Sequence, residues 1–195
     1  ATGCVSSTRT QVTATVVPAP AAPVALASAP VCGTSGSTVL SVSAATGTTV
    51  EWYETTASSV ILATGNSFTT PVLTASKTYY ALARNSTCIS SRTAVTATVS
   101  APPAATTSIT GTLTKNCPVS GTAYGFTAAK VTGAASYVWS TPACATTDNS
   151  TTNVVSVKFG TKGGIRDTLY VQSKNTAGCL SVKKGVPVTT LTTCT

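Results

Sequence analysis

At 195 residues the chain has room for one or two domains. Its 42% hydrophobic content accompanies only 8% charged residues and no His, which excludes Ser-His-Asp and Cys-His chemistry. The net charge of +8 rests on scattered Lys and Arg, with Lys183-Lys184 the only adjacent pair. That scatter argues against a nucleic-acid surface, which clusters basic residues with exposed aromatics, and suits the solubility of a neutral Thr-rich surface better than an anionic partner.

Residues 1–16 read as the last strand of a repeat. Cys4-Val5-Ser6-Ser7-Thr8-Arg9 recurs as Cys88-Ile89-Ser90-Ser91-Arg92, with an offset of 84 at the cysteines (88 minus 4) and 83 at the arginines (92 minus 9). Each copy runs into a Pro/Ala linker, Pro18 to Pro23 and Ala101 to Ala105. A linker at a constant phase marks a repeat array. The expected domains are thus residues 17–100 and 101–195, preceded by the end of another repeat. No signal peptide is visible, as expected of an internal or mature fragment.

In the first domain Val24 to Ala27 is a weak strand ended by Pro30, and Thr38 to Ser43 alternates as a second. Thr49 to Glu54 is the third, with Val50 and Trp52 on one face and Glu51 and Tyr53 on the other. Ser59 to Leu62, Ser67 to Thr70, Thr78 to Ala83 and Thr93 to Val99 complete seven short strands. The second domain repeats the plan at Ser108 to Gly111, Thr122 to Ala128, Ala135 to Ser140, Asn153 to Phe159, Asp167 to Gln172 and Val186 to Leu191. Thr- and Val-rich strands at this spacing, with an inward Trp on each third strand (Trp52 and Trp139), predict all-β, tandem immunoglobulin-like β-sandwiches joined by short Pro-rich linkers. Neither helical period nor a membrane-spanning apolar stretch occurs, so no membrane insertion is expected.

Other chemistry is sparse. Glu51 and Glu54 lie three apart on a strand and face opposite sides, which precludes an acid/base pair. Asp148-Asn149 reads as a turn rather than a calcium loop, and Gly160-Thr161-Lys162-Gly163-Gly164 as a hairpin loop rather than a phosphate cradle. No catalytic residue, cofactor or metal is expected. Two readings of outward-facing Tyr53 stay open: a platform for stacking on a sugar ring, or an ordinary cross-strand contact. The seven cysteines lack any C-x-x-C pair, which points to disulfides in an oxidising compartment rather than zinc.

Taken with Val31-Cys32-Gly33, Val50-Glu51-Trp52-Tyr53, Thr78-Tyr79-Tyr80 and the Arg92-to-Val99 tail, the first domain resembles the Ig-like repeats of large Bacteroidota cell-surface proteins. The second, with Ile109-Thr110-Gly111, Tyr137-Val138-Trp139 and Val157-Lys158-Phe159-Gly160, resembles the PKD-like domains of the same proteins. The resemblance implies export through the type IX system, as in gliding and attachment adhesins and secreted hydrolases. It implies a non-catalytic extracellular stalk or filament segment of a surface adhesin. The alternative is an accessory, carbohydrate-binding module of a secreted polysaccharide hydrolase. Implied partners are neighbouring repeats of the same polypeptide, and surface polysaccharide or other cell-surface proteins. Asp167-Thr168-Leu169 resembles the short O-glycosylation motif of that group, which implies modification of Thr168.

Counting alone pairs Cys32 with Cys88 and Cys117 with Cys179. Sandwich topology argues otherwise. It puts the turn after the first strand at the end where the chain leaves, and the turn before the last strand at the end where it enters. A strand of six residues spans about 20 Å, whereas bridged Cα atoms lie within about 7 Å. Topology therefore pairs Cys32 with Cys179 of the next domain and Cys117 with Cys194, ties Cys4 and Cys88 to preceding domains, and leaves Cys144 unassigned.

Overall fold

The computed structural model describes residues 8, 11–111, 122–142, 145–159 and 166–189. Every regular element among them is a strand. The strands are β1 (Val24–Ala25), β2 (Val31–Cys32), β3 (Val39–Ser43), β4 (Thr49–Tyr53), β5 (Ala63–Thr64), β6 (Ser67–Thr69), β7 (Lys77–Arg84), β8 (Thr93–Ala97), β9 (Val99–Ser100), β10 (Ile109–Thr110), β11 (Ala123–Ala128), β12 (Ser136–Ser140), β13 (Ala145–Thr147), β14 (Val154–Phe159), β15 (Arg166–Lys174) and β16 (Lys184–Thr189). The fold is all-β, two Ig-type sandwiches in tandem.

The chain divides into two compact units. One comprises Leu40–Phe68, Thr78–Val95 and the chain up to Ala27; the other comprises Ser28–Val39, Thr69–Lys77 and the chain from Thr96 onward.

The first sandwich sets a β1-β3-β6 sheet against a β5-β4-β7-β8 sheet. In β4 the register places Trp52 opposite Ala81 and Tyr53 opposite Tyr80 on β7. Alternation sends Leu40 and Val42 of β3, and Val50 and Trp52 of β4, inward, where all four are buried. Trp52 stacks on Phe68 at 5.6 Å, and Phe68 meets Tyr79 edge-on at 5.0 Å. The indole N–H of Trp52 donates to the Gly65 carbonyl at 2.9 Å. Gly65 holds φ +108° in the turn between β5 and β6, a conformation that would strain any side chain.

The short strand expected at Ser59 to Leu62 is displaced to β5. Leu62 N–H does donate to the Trp52 carbonyl at 2.8 Å, but the paired residues are Ala63 and Thr64, opposite Trp52 and Glu51. Val60 and Ile61 are left exposed. Gln11 to Val16, read as strand, forms none here, because a strand is made by the ladder it joins.

The second sandwich pairs a β10-β11-β14-β13 sheet with a β12-β15-β16 sheet. Phe126, Val155, Val157, Phe159, Leu169 and Val188 form its core. β13 had no sequence forecast. Trp139 departs from expectation: it is only partly buried, packed against the rim of the core, while its strand neighbour Tyr137 is buried. Close cross-strand packing requires Gly185, where an added Cβ would lie 2.6 Å from Thr168 Cγ2.

Candidate functional site

Two polar constructions stand out, one in each unit. In the first, Glu51 of β4 is buried, opposite Leu82 of β7, and an unpaired buried carboxylate would be costly. Arg84 removes that cost with two bonds, Nε to Oε1 at 2.6 Å and Nη2 to Oε2 at 3.1 Å. Tyr53 Oη donates to Oε2 at 2.7 Å. The Arg84 contact holds the Glu51 carboxyl below its ordinary range. Burial, then the neighbouring carboxylate, pushes the Tyr53 phenol up.

This geometry corrects the sugar-platform reading of Tyr53. Alternation places it on the face of Glu51, but that face is covered. The Arg92 guanidinium lies 3.9 Å above the Tyr53 ring and is itself anchored on the Thr55 and Ser58 carbonyls, each at 2.6 Å. Tyr53 is 4% exposed, so its ring has no free face for a sugar.

The second construction surrounds the linker after β9. β2 runs parallel to β9, with Cys32 opposite Ser100. Cys32 is joined to Cys179 by a disulfide with Cα atoms 5.4 Å apart, across 147 residues of sequence. Cys179 is fully buried, and its sulfur lies 3.4 Å from the Ser100 carbonyl oxygen.

A turn built on Asn175 presents Cys179. The Asn175 N–H donates to the Cys179 carbonyl, and Asn175 Oδ1 accepts from the Cys179 N–H at 2.9 Å. The same side chain reaches the linker, with Nδ2 donating to Ser100 Oγ and to the Ala101 carbonyl, both at 3.0 Å. Ser173 Oγ donates to Ala104 O and Thr106 Oγ1 to Ala129 O, each at 2.7 Å. Asn175 and Ser173 thus satisfy linker carbonyls that would otherwise depend on water.

The remaining sequence candidates lie apart from these constructions. Thr168 is half-buried in β15 opposite Pro187, and its N–H donates to Asp167 Oδ1 at 2.7 Å. Asp148 accepts the N–H groups of Ser150 and Ser156 at 3.1 and 3.2 Å, beside Asn149 at φ +56°. That is turn chemistry. Cys4, Cys117, Cys144 and Cys194 fall outside the described residues, and with them the Cys117–Cys194 pairing; so does the loop from Gly160 to Gly164. The roles of Arg92, Asn175 and Ser173 went unforeseen, since contacts so distant in sequence carry no spacing signal. The one hint in the sequence is that Asn175-Thr176-Ala177-Gly178-Cys179 sits where Arg84-Asn85-Ser86-Thr87-Cys88 sits in the first domain.

Residues 20–101 match the family model described as Ig-like domain CHU_C associated, and residues 102–188 match that of the PKD-like domain. The pairing is consistent with tandem Ig-like and PKD-like repeats of Bacteroidota surface proteins. No curated protein matches the chain. Among solved structures, fibronectin(III)-like modules of Clostridium thermocellum CbhA are 13% identical, with 83% of this chain and 91% of that one covered and a TM-score of 0.47. Domains A168-A170 of titin are 14% identical, covering 88% of this chain and 62% of that one at a TM-score of 0.39. The mouse nectin-like molecule 4 ectodomain is 15% identical, covering 91% and 67% at 0.29. No helix among the described residues is long and apolar enough to cross a membrane.

Proposed function

We propose that this tandem of an Ig-like and a PKD-like domain is a non-catalytic, extracellular stalk or filament segment of a repetitive bacterial surface adhesin. The observation that carries the reading is the Cys32–Cys179 disulfide, which crosslinks the segment matched as Ig-like to the segment matched as PKD-like. Asn175 and Ser173 hold the intervening linker through its Ala101 and Ala104 carbonyls. A ligand-binding module needs an exposed, shaped site. A spacer needs a junction that resists bending and proteolysis, and a covalent bond beside a Pro-rich linker serves that need. The disulfide also supports a location in an oxidising compartment outside the cytoplasm.

The test is replacement of residues 17–195 within the native polypeptide. Exchange for two unrelated β-sandwich domains in tandem is expected to keep surface attachment, and exchange for a flexible Gly/Ser chain to reduce it. Loss of attachment with both replacements would show that this segment itself binds, and would favour the accessory carbohydrate-binding alternative.

A further inference from the structure

The Cys179 turn has a counterpart in the first sandwich. The Asn85 N–H donates to the Cys88 carbonyl at 3.0 Å, and the Cys88 N–H donates to Asn85 Oδ1 at 2.6 Å. Asn85 Nδ2 reaches back to Pro18 O, as Asn175 Nδ2 reaches Ala101 O. The Cys88 thiol lies 3.4 Å from the Val17 carbonyl, as Cys179 sulfur lies 3.4 Å from that of Ser100. The repeat offset of 83 (99 minus 16) aligns Val16-Val17 with Val99-Ser100. In one copy the sulfur is bonded to the cysteine of a short parallel strand; in the other it is a free thiol.

A second observation, independent of the turn, identifies what belongs there. Val99 is half-buried because β2 pairs along it. Its equivalent Val16 is 90% exposed, and Val17 is exposed too. The first sandwich therefore presents a thiol aimed at a carbonyl and, beside it, two exposed valines at the positions that β2 lines in the other copy.

We infer that Cys88 is one half of a second inter-repeat disulfide, whose other half is a cysteine on a β2-type strand of a preceding repeat, lying parallel to Val16-Val17. This rests on the reading of the chain as one segment of an array. Bond formation needs an oxidant, of the class of an oxidised dithiol–disulfide carrier in the export compartment. The partner cysteine first exchanges onto the carrier. The Cys88 thiolate then attacks that mixed disulfide at the partner sulfur, the new S–S bond forms, and the carrier leaves as the dithiol. Two thiols lose two electrons and two protons, and the carrier gains both.

Two experiments test the bond. In the native full-length polypeptide, isolated with free thiols blocked by N-ethylmaleimide, the Cys88 peptide is expected in disulfide linkage to a peptide from outside residues 1–195. Recovery of Cys88 as the blocked thiol, or joined to a cysteine of this segment, overturns the inference. The second experiment adds a known repeat to the chain, by fusing residues 1–99 directly ahead of residues 17–195, with Cys88→Ser in the upstream copy. Cys32–Cys88 and Cys32–Cys179 crosslinks should then appear together, and the maleimide labelling of Cys88 expected of the starting chain should be lost. If Cys32–Cys179 forms while Cys88 stays reactive, the inference fails, because the fold is then present without the bond. That outcome would leave the stalk reading intact, since the replacement experiment tests it separately.

Discussion

Trp52 and Trp139 occupy the same place in the two sandwiches and end in different surroundings. Each lies on the third expected strand of its domain, and each donates its indole N–H to a carbonyl thirteen residues on, Gly65 at 2.9 Å and Thr152 at 3.0 Å. Trp52 is wholly buried between the sheets and stacked on Phe68. Trp139 sits at the rim, part of its ring in water, while the aliphatic centre of its sandwich is filled by Val155, Val157, Leu169 and Val188. A shared local motif thus sets the strand and the indole hydrogen bond. The facing sheet decides whether the ring becomes core.

Truncating each ring separates the two environments. Trp52→Ala is expected to destabilise the first sandwich by about 3–5 kcal/mol, measured by urea denaturation, because it removes a stacked ring and leaves a cavity. A loss below about 1 kcal/mol would mean that Trp52 is not core. Opening the disulfide comes next. Cys32→Ser is expected to cost about 2–4 kcal/mol, since the bond closes a long loop, and to speed cleavage of the linker after Ser100 by a protease of broad specificity. Unchanged linker cleavage would contradict the restraint assigned to this bond.

Trp139→Ala should cost about 1–2 kcal/mol, because part of the ring is already solvated. Fluorescence sharpens the same contrast: Trp139→Phe should leave a blue-shifted emission from Trp52, and Trp52→Phe a red-shifted one from Trp139. Matching spectra would erase the difference between the two sites.

The smallest effect concerns Glu51. Its carboxyl is held below its ordinary range by Arg84, so the ionised form is favoured in the folded state. The resulting stability is fully present above the unfolded value of about 4.3 and is lost as pH falls through the lower folded value. Glu51→Gln should flatten the fall in urea midpoint on acidification below about pH 4.3. Parallel acid profiles would show that the pair adds nothing.

Much of this architecture is legible in the residues. The alternation of β3, β14 and β15 follows from buried positions two apart, and the sandwich class follows from strand spacing and the third-strand tryptophans. Other features depended on contacts distant in sequence. Alternation puts Tyr53 on the face of Glu51 but says nothing of a cover supplied by Arg92. At Ser59 to Leu62 the apolar run suggested strand, yet the turn at Gly65 and the register with Trp52 select Ala63 and Thr64. β13, Ala145–Thr147, carries too little hydrophobic contrast to announce itself. The clamp of Asn175 and Ser173 on the linker is long-range hydrogen bonding, which leaves no periodic trace.

A covalent bond joins the Ig-like segment to the PKD-like segment at Cys32 and Cys179. Non-reducing peptide mapping of the native chain, with free thiols blocked before digestion, tests it most directly. A crosslinked pair of peptides containing Cys32 and Cys179 is the predicted result. A Cys32–Cys88 crosslink, which would close the bond within the Ig-like segment, would rule that bond out.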